Sequence, residues 1–222
     1  MITSNVIHRV FRLKYREQTG TSFIINVDDN QYFVTAKHVV QVEENDDILH
    51  SLSVGEEVEI FRDNSWHPIP VTVVAHSEIS DVSIFKIKQN IPAHPMPATT
   101  DGIFYGQDVY FLGFPYGLSS VVGEINRHFP LPLVKKGILS SMFNVELGGM
   151  FFVDGHNNPG FSGGPVIFTD QKTKEQKVAG IIHGYQPEFK NIAGRLTPIE
   201  NTNSSIIIAY SISNAIDLIE AL

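Results

Sequence analysis

Short apolar runs separated by turn residues fill most of the chain. "TSFIINV", "QYFVTA", "EEVEIF", "IPVTVVAH", "VSIFKI", "DVYFLGF", "GMFFV", "GPVIF", "KVAGIIHGY" and "SSIIIAYS" are each short and rich in β-branched or aromatic residues. Asp-Asp-Asn, Asp-Asn and Gly-Gly punctuate them, which predicts many short strands in a sandwich or barrel rather than alternating βαβ units. Helical spacing is convincing only at the end, in "SISNAIDLIEAL", where Ile212, Ala215, Ile216 and Ile219 share a face and Ser211 or Ser213 stands at the N-cap position. "NIPAHPMPATTDG", Asn90 to Gly102, holds three prolines and no apolar alternation. It reads as a linker between two β-rich halves. "GLSSVVGEINRHFPLPLVKKG" reads as a long surface loop around a short hairpin. No repeat or low-complexity tract appears.

The 222 residues are 42% hydrophobic, enough for one large all-β domain or two small ones. Sixteen Lys and Arg face twenty-four Asp and Glu, and a net charge of −8 argues against nucleic acid as partner. The densest basic cluster, "RVFRLKYR", alternates with apolar residues and predicts a strand with one charged face. The absence of cysteine excludes disulfides, a thiolate zinc site and a cysteine nucleophile. "MITSNVIHRV" lacks the basic region and apolar run of a secretory signal. No window reaches the roughly 18 apolar residues of a membrane helix. A cytoplasmic protein without membrane association is the expectation. The nine histidines include no H-E-x-x-H or similar pair, so neither a metal nor another cofactor is expected.

The stretch "NNPGFSGGPVIF", Asn157 to Phe168, sets Ser162 among three glycines and two prolines. A phosphate-binding loop would need a lysine after the glycines and a helix beyond them, and here Pro165 opens a strand. "GFSGG" satisfies G-x-S-x-G, but a nucleophile elbow joins strand to helix, with acid and histidine downstream. The third reading needs an imidazole to take the serine proton and a carboxylate to orient that imidazole. His38 follows a hairpin pattern ending in "FVTA", and Asp81 directly precedes the strand "VSIFKI". Taken singly, His38 equally suits an exposed turn histidine and Asp81 a turn former.

"FVTAKHVV", "SDVSIFKI" and "NPGFSGGPV" together resemble the three signature blocks of trypsin-like serine proteases, in the same order. "YFLGFPYGL" is similar to the opening of the second barrel in the bacterial high-temperature-requirement branch. The resemblance spans nearly the whole chain. It implies an all-β fold of two six-stranded antiparallel β-barrels with a C-terminal helix. Residues 1–100 would form a barrel carrying His38 and Asp81, and residues 101–222 one carrying Ser162. The implied activity is endopeptidase hydrolysis of a protein or peptide through His38, Asp81 and Ser162. The amides of Gly160 and Ser162 would form the oxyanion hole. A silent or partner-activated peptide-binding module is the alternative.

Phe161 departs from the family, in which Asp or Asn often precedes the nucleophile and receives the new N-terminus of zymogen-type members. A bulky Phe there would pack under the loop or hold it inactive. The resemblance places the specificity pocket near His156, His183, Gly184 and Tyr185. "HGYQPEF" is loosely similar to glutamyl endopeptidases, which use a pocket histidine for acidic side chains; the other reading of His183 is a satisfied core or rim histidine. No acid stands at the expected pocket floor, so preference for Lys or Arg is not expected. About 60 residues follow Ser162, leaving no room for a PDZ domain. Regulation would fall to a partner protein or an oligomer.

Overall fold

The computed structural model describes residues 1–44, 48–143, 149–192 and 194–222. A one-turn helix α1 (Ser4–Ile7) leads into β1 (Val10–Tyr15), β2 (Gln18–Val27) and β3 (Asn30–Ala36). A small hairpin of β4 (Gln41–Glu44) and β5 (Ile48–Ser51) precedes β6 (Glu57–Arg62), β7 (Ser65–His76) and β8 (Val82–Ile87). These close into an antiparallel barrel in the order β1-β2-β3-β8-β7-β6.

The second half holds β9 (Asp108–Gly113), β10 (Leu133–Phe143), β11 (Met150–Asp154), β12 (Pro165–Thr169) and β13 (Gln176–Tyr185). The exposed hairpin of β14 (Phe189–Ile192) and β15 (Arg195–Pro198) follows, then β16 (Ile206–Ser211) and helix α2 (Ser213–Glu220). The second barrel runs β10-β11-β16-β13-β12-β9. The expected pair of six-stranded antiparallel barrels with a C-terminal helix is therefore the observed architecture. Among the described residues no helix is long and apolar enough to cross a membrane.

The strands look continuously apolar because both their faces are covered. Ile24, Phe33 and Phe85 point into the first barrel with Leu13 and Ile60. Their neighbours Phe23, Ile25, Val34 and Ile84 point outward and pack against Leu112, Ile167 and Ile181 of the second barrel and Ile212 and Ile219 near α2. Val109, Phe111, Phe151, Val166 and Phe168 fill the second barrel. Three apolar layers result: two barrel interiors and the seam between them.

Three local expectations change. The strand after "RHFPLP" begins at Leu133, so "LVKKG" belongs to β10, and the loop before it holds a turn at Gly123–Asn126 and a bridge from Ser120 to Leu131. Arg9 does not lie on a charged strand face. It is fully buried, and its guanidinium donates to the carbonyls of Asn5, Ile24 and His94. Ile212, rather than a serine, occupies the N-cap of α2, where its N–H bonds Ala179 O at 2.8 Å and its side chain is buried.

Glu56 fastens the β4–β5 hairpin to the first barrel. It accepts from Tyr15 Oη at 3.0 Å, from Ser53 N at 2.8 Å and Oγ at 2.9 Å, and from His50 Nε2 at 3.0 Å. Burial alone would raise its pKa, but these donors overcome it and bring the carboxyl down to about 2. The unfolded carboxyl titrates at about 4.3, so the unfolded chain takes up the proton first as pH falls. The stabilisation is complete above that value and is lost as pH drops toward 2. Glu56→Gln should therefore melt below wild type at pH 7, with the gap closing on acidification; a gap constant with pH in calorimetric scans would contradict this.

Candidate active site

Asp81 stands at the end of the turn before β8, in a barrel whose β3 leads directly into the single turn Lys37–Val40 carrying His38. The β3–β8 pairing sets Ala36 opposite Val82 and brings the two residues together. His38 Nδ1 lies 2.6 Å from Asp81 Oδ2, and the His38 backbone N–H donates to Oδ1 at 2.8 Å. A second imidazole meets the same carboxylate: His183 Nδ1 is also 2.6 Å from Oδ2. The Asp81 side chain is 13% exposed, against 44% for His38 and 38% for His183.

Burial pushes the Asp81 carboxyl upward, but hydrogen bonds from His183 and His38 outweigh that and hold it well below the usual carboxylate range. An ionised carboxylate only accepts, so both Nδ1 atoms carry the hydrogen, and in a neutral imidazole that leaves Nε2 as the acceptor. The tautomer a general base requires is thereby fixed on His38.

His183 reaches Asp81 because of a β-bulge. Against β16, Ile182 pairs with Ala209 and Gly184 with Ile208, leaving His183 as the extra residue. Such an insertion re-aims a side chain. The ring turns toward the first barrel and stands edge-on between His38 and Tyr210, at centroid distances of 5.6 and 5.7 Å. Gly184 and Tyr185 follow, half-buried, on the strand end. His156 is exposed, with Nδ1 3.4 Å from Ser205 Oγ. The histidines expected in one pocket thus divide: His183 sits on Asp81 and His156 by Ser205.

Ser162 lies on the loop before β12, half-buried, with its hydroxyl donating to the His183 carbonyl at 3.1 Å. The loop is held from both barrels. Thr21 of β2 donates its N–H to Ser162 O at 2.8 Å and its hydroxyl to Gly160 O at 2.7 Å. Tyr116 N–H draws the Pro159 carbonyl outward at 2.9 Å. Carbonyl and following N–H point oppositely across a trans peptide, so the Gly160 N–H faces away from Tyr116. Among the described residues neither the Gly160 nor the Ser162 N–H has a hydrogen-bond partner. Gly160 has φ +104° and a Cβ there would strike the Phe114 carbonyl; one at Gly163 would strike Thr21 O.

Phe161, between these two amides, points into the second barrel. It is fully buried, meets Phe111 edge-on at 5.1 Å, and lies under the ammonium of Lys135 at 5.6 Å. Lys135 Nζ also donates to His156 O at 2.5 Å and Asn158 Oδ1 at 2.9 Å. The side chain therefore pins the loop instead of blocking it.

A model of the trypsin-like peptidase domain matches residues 20–181. The chain belongs to that family. Its enzyme class is serine endopeptidase, a hydrolase of peptide bonds. None of the curated proteins matches it in sequence. Among solved structures, the Rv3671c protease of M. tuberculosis in its active form superposes with TM-score 0.65 at 16% identity, over 97% of this chain and 81% of that one. The HtrA-type protease AlgW with a tripeptide gives 0.63 at 20% identity, over 98% and 61%. A serine endoprotease from Yersinia pestis gives 0.63 at 19%, over 100% and 67%. At such identities these likenesses concern the fold.

Sequence reasoning missed the clamp of the protease's serine loop. Thr21 and Lys135 carry no motif, Tyr116 is not marked out within "YFLGFPYGL", and the one local signal of close approach is the small-residue run "GTS". Phe161→Ala should cost about 3–5 kcal/mol of stability, as large aromatic truncations in cores do. Denaturant unfolding checks this, and a loss under 1 kcal/mol would contradict the anchoring role.

Proposed function

We propose that the protease cleaves proteins or peptides through an acyl-enzyme formed on Ser162. The carrying observation is the Asp81 carboxylate, which fixes His38 with Nδ1 protonated and Nε2 free to accept, beside a loop with two unpartnered amides. Ser162 Oγ attacks the scissile carbonyl while its proton passes to His38 Nε2. The Gly160 and Ser162 amides receive the developing oxyanion. His38 returns the proton to the departing amine, and water, deprotonated by His38, hydrolyses the ester. Asp81 stays ionised throughout and stabilises the transient imidazolium.

The resting hydroxyl is bonded to the His183 carbonyl, so engagement with His38 needs a rotation about the Ser162 side chain. A substrate strand pairing with the end of β13 would present an N–H to that carbonyl and release the hydroxyl. The same observation favours a second reading, a module that binds peptides and cuts only when a partner completes the arrangement. A fluorophosphonate probe separates the readings. Labelling of wild type but not Ser162→Ala supports turnover by Ser162. Equal labelling of both removes Ser162 from the mechanism, and no labelling of either favours the silent module.

The surroundings of His156 support the expected specificity. Asn157, Asn203 and Ser205 are neutral, Asn203 Nδ2 donates to Asn157 O at 2.6 Å, and the Lys135 ammonium donates to the His156 carbonyl. A cation at this floor repels Lys and Arg and attracts carboxylates. A peptide-library digest should show no cuts after Lys or Arg and an excess after Glu or Asp; trypsin-like cleavage would refute the pocket assignment.

A further inference from the structure

One ring nitrogen each of His38 and His183 and an Asp81 carboxylate oxygen lie within 4.8 Å of one another. The donors sit 43 and 102 residues apart in pairs through Asp81, so no sequence spacing reveals them. Two imidazole nitrogens and a carboxylate are the donor set of a three-residue zinc site that leaves a fourth position to water. Both nitrogens address one oxygen, Oδ2, at 2.6 Å, and Oδ1 is engaged separately by the His38 N–H. Zinc ligands at about 2.0–2.2 Å in a tetrahedron stand roughly 3.3 Å apart. The two N···O contacts would open by roughly 0.7 Å, with Oδ2 drawing back from the point on which both nitrogens converge.

Ions can reach the cluster. Both imidazoles are more than a third exposed. A cleft of about 610 Å³ opens on His38, with Arg16, Glu17 and Glu43 on its wall.

We propose that His38, Asp81 and His183 form a zinc-binding site whose occupation switches the protease off. Nδ1 can bind a metal only through its lone pair, so each ligating imidazole moves its proton to Nε2. An Nε2 that already carries hydrogen cannot accept the proton of Ser162. Zinc therefore inhibits by imposing the wrong tautomer on His38, without needing to fill the substrate cleft. Binding rests on geometry alone; the loss of activity rests also on the function proposed above.

Two measurements keep these apart. Zinc chloride is titrated calorimetrically into the Ser162→Ala protein, with and without His183→Asn, which retains a side-chain N–H for Asp81. The second substitution should weaken the tightest site at least about tenfold, the low end of what altering even an outer partner of a metal costs. Histidine ¹⁵N spectra of the protein with His183 intact should show His38 and His183 bound through Nδ1 with hydrogen on Nε2, an observation independent of whether the variant folds. Unmoved His38 and His183 signals at saturating zinc, or identical titrations with a folded variant, overturn the site. Wild-type hydrolysis should fall with zinc and return with chelator; retained activity at occupied zinc overturns the inhibitory mechanism. An enzyme idle without any zinc would fault the proposed function, while calorimetry and spectra still decide the site.

Discussion

Three N–H groups converge on the Asp81 carboxylate, one from the His38 backbone and two from imidazoles, and the relation between the barrels at the cleft depends on it. The partly buried charge would be costly alone, and the donors reverse that cost. Two of them come from the turn after β3 and the third from the bulge in β13, so satisfying one carboxylate ties the first barrel to the second. The apolar seam of Phe23, Val34, Ile84, Leu112 and Ile181 brings the barrels together without direction, since hydrophobic contact is tolerant of small slides. The carboxylate supplies the direction. Hydrogen bonds need distance and angle, and those needs fix His38 relative to the strand that carries His183.

The serine loop is fixed by a complementary set of contacts. Its backbone is held by donors from both barrels, Thr21 and Tyr116, and its one large side chain is sunk among Phe111 and its neighbours. Neighbouring carbonyls of Asn158, Pro159, Gly160 and Ser162 are engaged, and among the described residues the Gly160 and Ser162 amides are left without a partner. The positive φ of Gly160 and Gly163 follows from this crowding, since a Cβ at either would meet a backbone carbonyl.

The fold was legible because each barrel strand is short, apolar and closed by turn residues, and because local strand signals place His38, Asp81 and Ser162 at strand ends. The meeting of His38 and His183 on Asp81 and the clamp were not. His183 lies on the strand where sequence put it, but a bulge decides which way its ring points, and a bulge is a matter of register with β16 rather than of local pattern. The N-cap of α2 failed for a related reason: Ile212 is bound on both sides by tertiary contact, so capping propensity had no say. Arg9 looked like a surface charge and is a buried donor to three carbonyls, a partnership visible only once α1 and the proline-rich segment fold across it.

Phe161 gives that limit its clearest physical form. A carboxylate before the nucleophile would hold the loop through a charge pair, which depends on a partner cation being delivered. An aromatic ring in the barrel holds it through packing, which is present as soon as the second barrel closes. Lys135 lies over the ring face and donates to the carbonyl of His156 and the side chain of Asn158. One cation thus meets both the apolar ring that anchors the serine loop and the backbone beside His156. The ring that anchors the serine loop from inside the second barrel is also the surface on which that cation rests.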